Sequence, residues 1–167
     1  VTSFACEAFL EAYRVTGRQE HLDTVGSAIR FFLNDLTIIE DTQDTLCLGY
    51  MPLPMTMKVM DVSILVGAVL AQYGQLAGTG EFDDTARRLV NFVVGKQTGY
   101  GAWYYTDPPG DSLIGHDNYH TGFILDYVTA DKGQVLFNGV LSCSNNPTDI
   151  FNCIKVMGYE ECVKCAI

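Results

Sequence analysis

The segment MDVSILVGAVLAQYGQL, at residues 60–76, decides the fold of this chain. Drawn as a helix, it is apolar or small on almost every side. A helix of this kind is enclosed by other elements rather than lying at a surface. Its longest nearly apolar run, residues 62–71, is too short to cross a bilayer, which takes ~20 residues. The sequence therefore predicts a buried core helix rather than a membrane span.

Three more helices are predicted around this core helix, at residues 4–15, 21–33 and 82–96, because apolar residues recur there at helical spacing. In the first of them, the face predicted to point inward carries Ala5, Ala8, Phe9 and Ala12. Residues 35–49 are predicted to form a loop. Residues 50–54 are predicted to be extended, because each proline there disfavours helix at the residue before it.

The two helix pairs match each other at a constant offset of 60 residues. The matched positions are Ala8 with Ala68, Leu10 with Leu70, Tyr13 with Tyr73, Asp23 with Asp83, and Phe32 with Phe92. A repeat of this length that consists of two helices is a helical hairpin. The first helix of each pair is the more apolar, which predicts an array of inner and outer helices. A third copy begins at Gly122, Ile124 and Tyr127.

Composition and charge exclude several classes of partner. The chain has 167 residues, 48% of them hydrophobic, which is enough for one domain with a sizeable core. Its formal charge of −10 argues against nucleic acid and anionic membrane surfaces, since both need clustered Lys and Arg. We predict a soluble protein, with the cytoplasm favoured, and no cofactor.

Residues 131–167 differ in character from the rest and match no part of the repeat. A strand is predicted at residues 135–141 and a short helix at 147–157, which Asn146 and Pro147 would begin. Four of the six cysteines lie here, at Cys143, Cys153, Cys162 and Cys165. A structural zinc site usually needs two Cys-x-x-Cys pairs or added His, so we predict no metal. The first residue is Val rather than Met, which is typical of a processed chain or a fragment.

Several stretches resemble the six-hairpin, α/α-toroid glycosidase-like superfamily, in the branch associated with polysaccharide biosynthesis. They are LGYMP at 48–52, residues 61–70, residues 80–97, GAWYY at 101–105 and DNYHTGFIL at 117–125. The resemblance covers residues 1–130 and implies inner helices around a cleft, with sugars bound at one rim. We therefore expect an all-α fold of stacked helical hairpins forming part of an α/α toroid, followed by an irregular, Cys-containing tail. A complete toroid needs further hairpins, from the rest of a longer chain or from a second subunit.

The motif QTGYGAW at residues 97–103 has two interpretations. It fits Q-x-x-x-G-x-W, which resembles the QW motif of terpene cyclases. In a structural role, Gln97 would bond free backbone groups, Gly101 would allow a turn and Trp103 would cover a helix end. In a binding role, Trp103, Tyr104 and Tyr105 would stack on the faces of sugar rings.

The cluster Asp117-Asn118-Tyr119-His120 is the best chemical candidate. It could simply cap and pack a helix start. In the functional interpretation, Asp117 is a general acid or base, and Asn118 and His120 hold sugar hydroxyls, or His120 moves the proton. Tyr119 is predicted to bind substrate beside them. Hydrolysis of a glycosidic bond needs a second carboxyl group, ~5.5 Å away to retain configuration or ~6.5–9.5 Å away to invert it.

Asp61 is the predicted partner of Asp117, because the repeat puts it at the same rim, although it could equally be a helix N-cap. Other acidic candidates are Asp107, Asp111 and Asp126. Tyr50 is predicted to bind substrate on the rim that residues 50–61 and 101–120 form. The predicted function is binding or processing of a carbohydrate, resembling a glycoside hydrolase if it is catalytic. The alternatives are a non-catalytic helical-repeat interaction module and an inactive fragment of a toroid enzyme.

Overall fold

A computed structural model describes residues 1–116 and 118–129, and this part of the chain is predominantly helical. Its helices are α1 (Thr2–Thr16), α2 (Gln19–Asn34), α3 (Met60–Ala77), α4 (Asp83–Val94) and α5 (Asn118–Thr129). Its strands are β1 (Ile38–Asp41), β2 (Leu46–Leu48), β3 (Lys58–Val59) and β4 (Thr106–Asp107), with a 3-10 turn at Pro109–Asp111. The predicted strand, helix and cysteine cluster of the tail lie outside the described residues.

The four predicted helices are confirmed, with ends that differ by one to a few residues. Glycines in the left-handed conformation end the first helix of each hairpin, Gly17 at φ 66° and Gly78 at φ 67°. Glycine adopts this conformation without the steric cost that a Cβ atom brings. A turn of two residues joins α1 to α2, and one of five residues joins α3 to α4. Connections this short make each pair of helices an antiparallel hairpin.

Helix α3 is the core helix that the sequence predicts. It contacts all four of the other helices, and twelve of its residues are buried. It packs most closely on α4, where a Cβ atom added to Gly67 would lie 3.1 Å from Cγ2 of Val90. Within the described residues, α3 is also the one helix long and apolar enough to cross a membrane, but 67% of it is buried inside the protein. Its apolar composition is therefore explained by packing.

Two matched pairs of the sequence repeat occupy equivalent places in the core, whereas Ala8 is exposed and its match Ala68 is buried. Leu10 and Leu70 are both fully buried, and the exposed fraction of Phe32 and of Phe92 is at most 2%. Helix α5 is the start of the third copy and lies against α3. It is also tied to α1, because the hydroxyl of Tyr127 donates a hydrogen bond of 2.8 Å to Oε2 of Glu7. Burial, together with the Glu7 carboxylate, raises the pKa of the Tyr127 hydroxyl.

The inward face predicted for α1 is wrong. The structure buries Ser3, Cys6 and Leu10, and it leaves Ala5, Ala8 and Phe9 exposed and Ala12 only partly covered. Among the described residues, α1 packs mainly on α2 and α3, and it has only isolated side-chain contacts with α5. The first helix of the first hairpin is consequently far less enclosed than α3.

Two irregular segments also differ from the prediction. The loop expected at residues 35–49 contains an antiparallel β-hairpin, in which Ile38 pairs with Leu48 and Asp41 with Leu46. The segment at residues 50–54 bends rather than extending, because the amide of Leu53 donates to the carbonyl of Met51 at 2.8 Å. The buried β2 strand packs on α3 and α4, so contacts distant in sequence stabilise this hairpin.

Cys6 and Cys47 are buried free thiols, as their apolar surroundings predict. Burial raises the pKa of each thiol to about 11. The thiolate is the reactive form of cysteine, so both side chains are inert at neutral pH. Their role in the described part of the chain is packing.

A short antiparallel ladder, formed by β3 and β4, holds the segment before β4 against the start of α3. Lys58 pairs with Asp107 and Val59 with Thr106, and the amide of Met60 donates to the carbonyl of Tyr105 at 3.1 Å. Side chains alternate between the two sides of such a ladder. Tyr104 and Tyr105 therefore point in opposite directions, and each of them contributes to a different group of side chains.

Candidate functional site

The QTGYGAW motif has the structural role that its first interpretation predicts. The side-chain amide of Gln97 donates to the carbonyl of Gly101 at 3.0 Å. Gly101 adopts φ 83°, a conformation that favours glycine. The indole Nε1–H of Trp103 donates to the carbonyl of Val93 at 2.7 Å, in the last turn of α4. Trp103 thus covers the end of α4 and anchors the loop that follows.

The burial of Trp103 contradicts the sugar-binding role predicted for it. Its side chain is only 1% exposed and packs in the core cluster that includes Met60, Ile64 and Phe92. A ring in this position has no open face on which a sugar could stack. Trp103 belongs to the core beneath the candidate site rather than to its surface.

Asp61 and His120 lie close together, although 59 residues separate them in the sequence. Both lie in the first turn of their helices, α3 and α5. Oδ2 of Asp61 is 3.8 Å from Nε2 of His120, and the two side chains are 17% and 20% exposed. Asp61 is not the N-cap of α3, because that position belongs to Val59. The capping interpretation of Asp61 is therefore wrong.

Two tyrosine rings pack on His120, and a third tyrosine, Tyr50, is near one of them. The ring of Tyr105 lies 4.7 Å from the imidazole of His120, and the ring of Tyr119 lies 5.2 Å from it, both edge to face. Burial raises the pKa of the Tyr105 hydroxyl, and the nearby Tyr50 and Asp61 raise it further. Tyr50 and Tyr119 are largely exposed. We call Asp61, His120, Tyr105, Tyr119 and Tyr50 the rim cluster.

Tyr104 belongs to a different group of side chains. Its ring contacts the imidazole of His116, whose Nε2 lies 2.6 Å from the hydroxyl of Tyr100. Tyr100 and His116 are exposed. The three predicted binding aromatics at residues 103–105 are thus distributed over the core, this second group and the rim cluster.

The remaining acidic candidates have distinct surroundings. Asp117 lies outside the described residues, so its separation from Asp61 stays a prediction. Asp107 forms an ion pair of 2.7 Å with Lys96. Asp111 and Asp126 are exposed, and so is Asn118, the first residue of α5. Among the described acidic residues, Asp61 is the one that the structure brings to His120.

The geometry of the rim cluster suits proton transfer to or from a bound hydroxyl. The 3.8 Å between Asp61 and His120 exceeds a direct hydrogen bond, but one substrate oxygen can lie at ~2.8 Å from both atoms. A carboxylate and an imidazole are the side chains that most often serve as general acid or base. Within the described residues, no group of three or more His, Cys, Asp or Glu side chains could hold a metal ion.

Sequence reasoning missed a row of alternating charges beside the ladder. Glu40 on β1 bonds Lys58 on β3 at 2.7 Å, Lys58 pairs across the ladder with Asp107, and Asp107 bonds Lys96 after α4. The signal is weak in the sequence, because these four residues are far apart and become neighbours only through strand pairing. The pattern K-V before an apolar helix and T-D before prolines was the one local indication.

Comparisons with protein-family models, with curated proteins and with solved structures found no match to this chain. The interpretation of the rim cluster therefore depends on its own geometry and on the resemblance in sequence described above.

Proposed function

We propose that this chain is part of an α/α-toroid domain that binds or processes a carbohydrate at the rim cluster. The toroid arrangement extends the two observed hairpins and the start of a third, α5, by the same repeat. In this proposal α1, α3 and α5 are inner helices, and their N-terminal ends form the rim.

One observation carries the proposal, namely the meeting of Asp61 and His120 beside tyrosine rings. Carbohydrates expose hydroxyl groups at their edges and C–H groups on their ring faces. Carboxylate and imidazole groups bond the former, and aromatic rings pack on the latter. The rim cluster offers both kinds of contact within one partly open site.

In a catalytic version, Asp61 or His120 exchanges a proton with a substrate oxygen while a second carboxyl group acts across the scissile bond. Asp117 is the proposed second carboxyl group, since it directly precedes the first turn of α5 that carries His120. The burial of Asp61 and His120 matters here, because proton transfer is more efficient at a site with little competing water.

The first prediction tests this proposal with three substitutions, Asp61→Asn, His120→Gln and Asp117→Asn. Each should lower turnover of neutral oligosaccharides by about 10²-fold or more, because each removes a proton donor or acceptor. Turnover would be measured as release of reducing ends from a panel of neutral glycans. Asp126→Asn is the matched control, since Asp126 is an exposed carboxylate on the same helix as His120.

The outcomes separate catalysis from binding. Turnover that all three rim variants retain would contradict a role for the cluster in chemistry. Binding of glycans without turnover, weakened by the same variants and unaffected by Asp126→Asn, would support the alternative of a non-catalytic binding module. Circular dichroism of each variant controls for loss of the fold.

A further inference from the structure

A polar cavity lies beside the ladder, lined mainly by residues that are not members of the rim cluster. Its volume is about 200 Å³, and its lining consists of Met60, Lys96, Tyr104, Thr106, Asp107 and Pro109. The cavity is smaller than the pockets of about 300–1,000 Å³ that hold drug-sized ligands, so it suits a ligand of one ring.

The charged groups of this cavity are an ammonium and a carboxylate that neutralise each other. Nζ of Lys96 lies 2.7 Å from Oδ2 of Asp107, and the two side chains are 37% and 28% exposed. The aromatic ring of Phe92 also contacts the ammonium, with 5.7 Å between Nζ and the ring centroid. The next pair in the row, Glu40 with Lys58, is likewise neutral. The local charge of the whole row is therefore zero.

We propose that this cavity is a second sugar subsite that binds one neutral ring through two adjacent hydroxyl groups. One hydroxyl accepts a hydrogen bond from the ammonium of Lys96, and its neighbour donates one to the carboxylate of Asp107. Met60, Tyr104 and Pro109 provide apolar surface for the C–H groups of the ring. This subsite deepens the proposed function and rests on it for the choice of a carbohydrate ligand.

The pairing of Lys96 with Asp107 also decides the charge of the ligand. A uronate would place its carboxylate beside Asp107, and the ammonium that could compensate already bonds that residue. A charged amino sugar meets the opposite obstacle at Lys96. A neutral diol disturbs neither group, since it bonds to both.

The second prediction tests this subsite with methyl glycosides of glucose, galactose and mannose as probes, and with methyl glucuronoside for comparison. Ligand-observed NMR on the full chain should detect the neutral glycosides at millimolar concentration. Lys96→Met and Asp107→Asn should each weaken the binding by about tenfold or more, because each removes one charge-assisted hydrogen bond. Both residues are partly exposed, so neither substitution should unfold the protein.

Arg87→Met is the matched control, because Arg87 is a basic residue of α4 in an exposed ion pair with Asp84. It should leave binding unchanged. Binding that Lys96→Met and Asp107→Asn leave intact, or tighter binding of the glucuronoside, would overturn the subsite.

Asp61→Asn distinguishes the two proposals. It should leave glycoside binding here unchanged, so loss of binding in this variant alone would assign the sugar to the rim cluster instead. Absence of turnover with retained, Lys96-dependent binding would reject the proposed catalysis and keep the subsite.

Discussion

Glu40 shows how one residue on a short strand responds to its neighbours. Its Oε2 bonds the ammonium of Lys58 at 2.7 Å, and its Oε1 accepts from the hydroxyl of Thr45 at 2.9 Å. The bond from Lys58 is the main cause that lowers the pKa of Glu40, against the opposing effect of burial. A carboxyl group with a lowered pKa binds fewer protons in the folded state, so it stabilises the fold at neutral pH and less so in acid.

The third prediction concerns this pH dependence. In the wild type, the contribution of Glu40 is present above the unfolded pKa of about 4.5 and is lost as the pH falls below it. Lys58→Met removes the main cause of the shift. We expect a loss of up to about 1 kcal/mol of unfolding free energy at pH 7, shrinking towards pH 4. Urea titrations at both pH values measure it.

Arg87→Met again provides the control, since its ion pair is more exposed than that of Lys58. It should change the unfolding free energy by less than about 0.5 kcal/mol at either pH. An equal loss at pH 7 and pH 4 for Lys58→Met would show that the lysine stabilises the fold through packing of its stem rather than through Glu40.

At the scale of elements, the contact between α3 and α4 depends on the absence of a side chain at Gly67. An added Cβ atom would lie 3.1 Å from Val90 and 3.3 Å from the carbonyl of Ala86. Gly122 in α5 is the opposite case, because no described atom beyond its own turn of helix lies within 4 Å of an added Cβ. Both glycines are inside helices, so they form a matched pair.

The fourth prediction follows from this pair. Gly67→Ala should destabilise the protein by about 1–3 kcal/mol, because the helices must separate to admit the methyl group. Gly122→Ala should instead stabilise it by up to about 1 kcal/mol through the better helix propensity of alanine. Thermal unfolding followed by circular dichroism measures both. Similar effects of the two substitutions would contradict the close approach of α3 and α4.

The sequence predicted elements well where local spacing determines them. Helix α3 was predicted because its residues are apolar on almost every side, and the ends of α1 and α3 were predicted from Gly17 and Gly78. The β1–β2 hairpin was missed because the local sequence was not recognised as strand. Its pairing of Ile38 with Leu48 depends instead on packing against α4. The face of α1 was assigned wrongly because Ala5, Ala8 and Phe9 are as apolar as the residues that the structure buries.

At the scale of the whole molecule, the buried residues form two clusters that share α3 and α4. Leu10 and Leu70 belong to one cluster, and Trp103 belongs to the other. Since both clusters use the same two helices, we expect them to unfold together. The single tryptophan of the chain, Trp103, reports on one cluster, and far-ultraviolet circular dichroism reports on all helices.

The fifth prediction is that both probes give one coincident transition in urea. Leu10→Ala and Leu70→Ala should each lower the free energy of unfolding by about 2–5 kcal/mol, with the larger loss at Leu70. The reason is that α3 is enclosed on all sides, so its neighbours relax less into the space left, whereas α1 can shift. A tryptophan transition that stays in place when Leu10 is truncated would show that the clusters unfold independently.

The candidate site could be predicted only in part from the sequence. Sequence reasoning named Asp61 and His120 as site residues, but their separation of 3.8 Å is seen only in the structure, and the predicted pairing of Asp61 with Asp117 stays a prediction. The burial of Trp103 and the pairing of Lys96 with Asp107 could not be predicted, since they depend on how the loop after α4 folds back. Local sequence patterns do not indicate the path of the loop that follows α4.

The alternation of side chains along the ladder makes the spacing between the anchored Trp103 and β4 critical. If one residue were inserted between Tyr105 and β4, the phenol that now faces His120 would turn towards Lys96, and its neighbour would take the opposite place. Point substitutions in this stretch alter one contact at a time, whereas a change of length exchanges both sides at once. Homologous chains with the same two groups should therefore vary here in residue type and never in residue number.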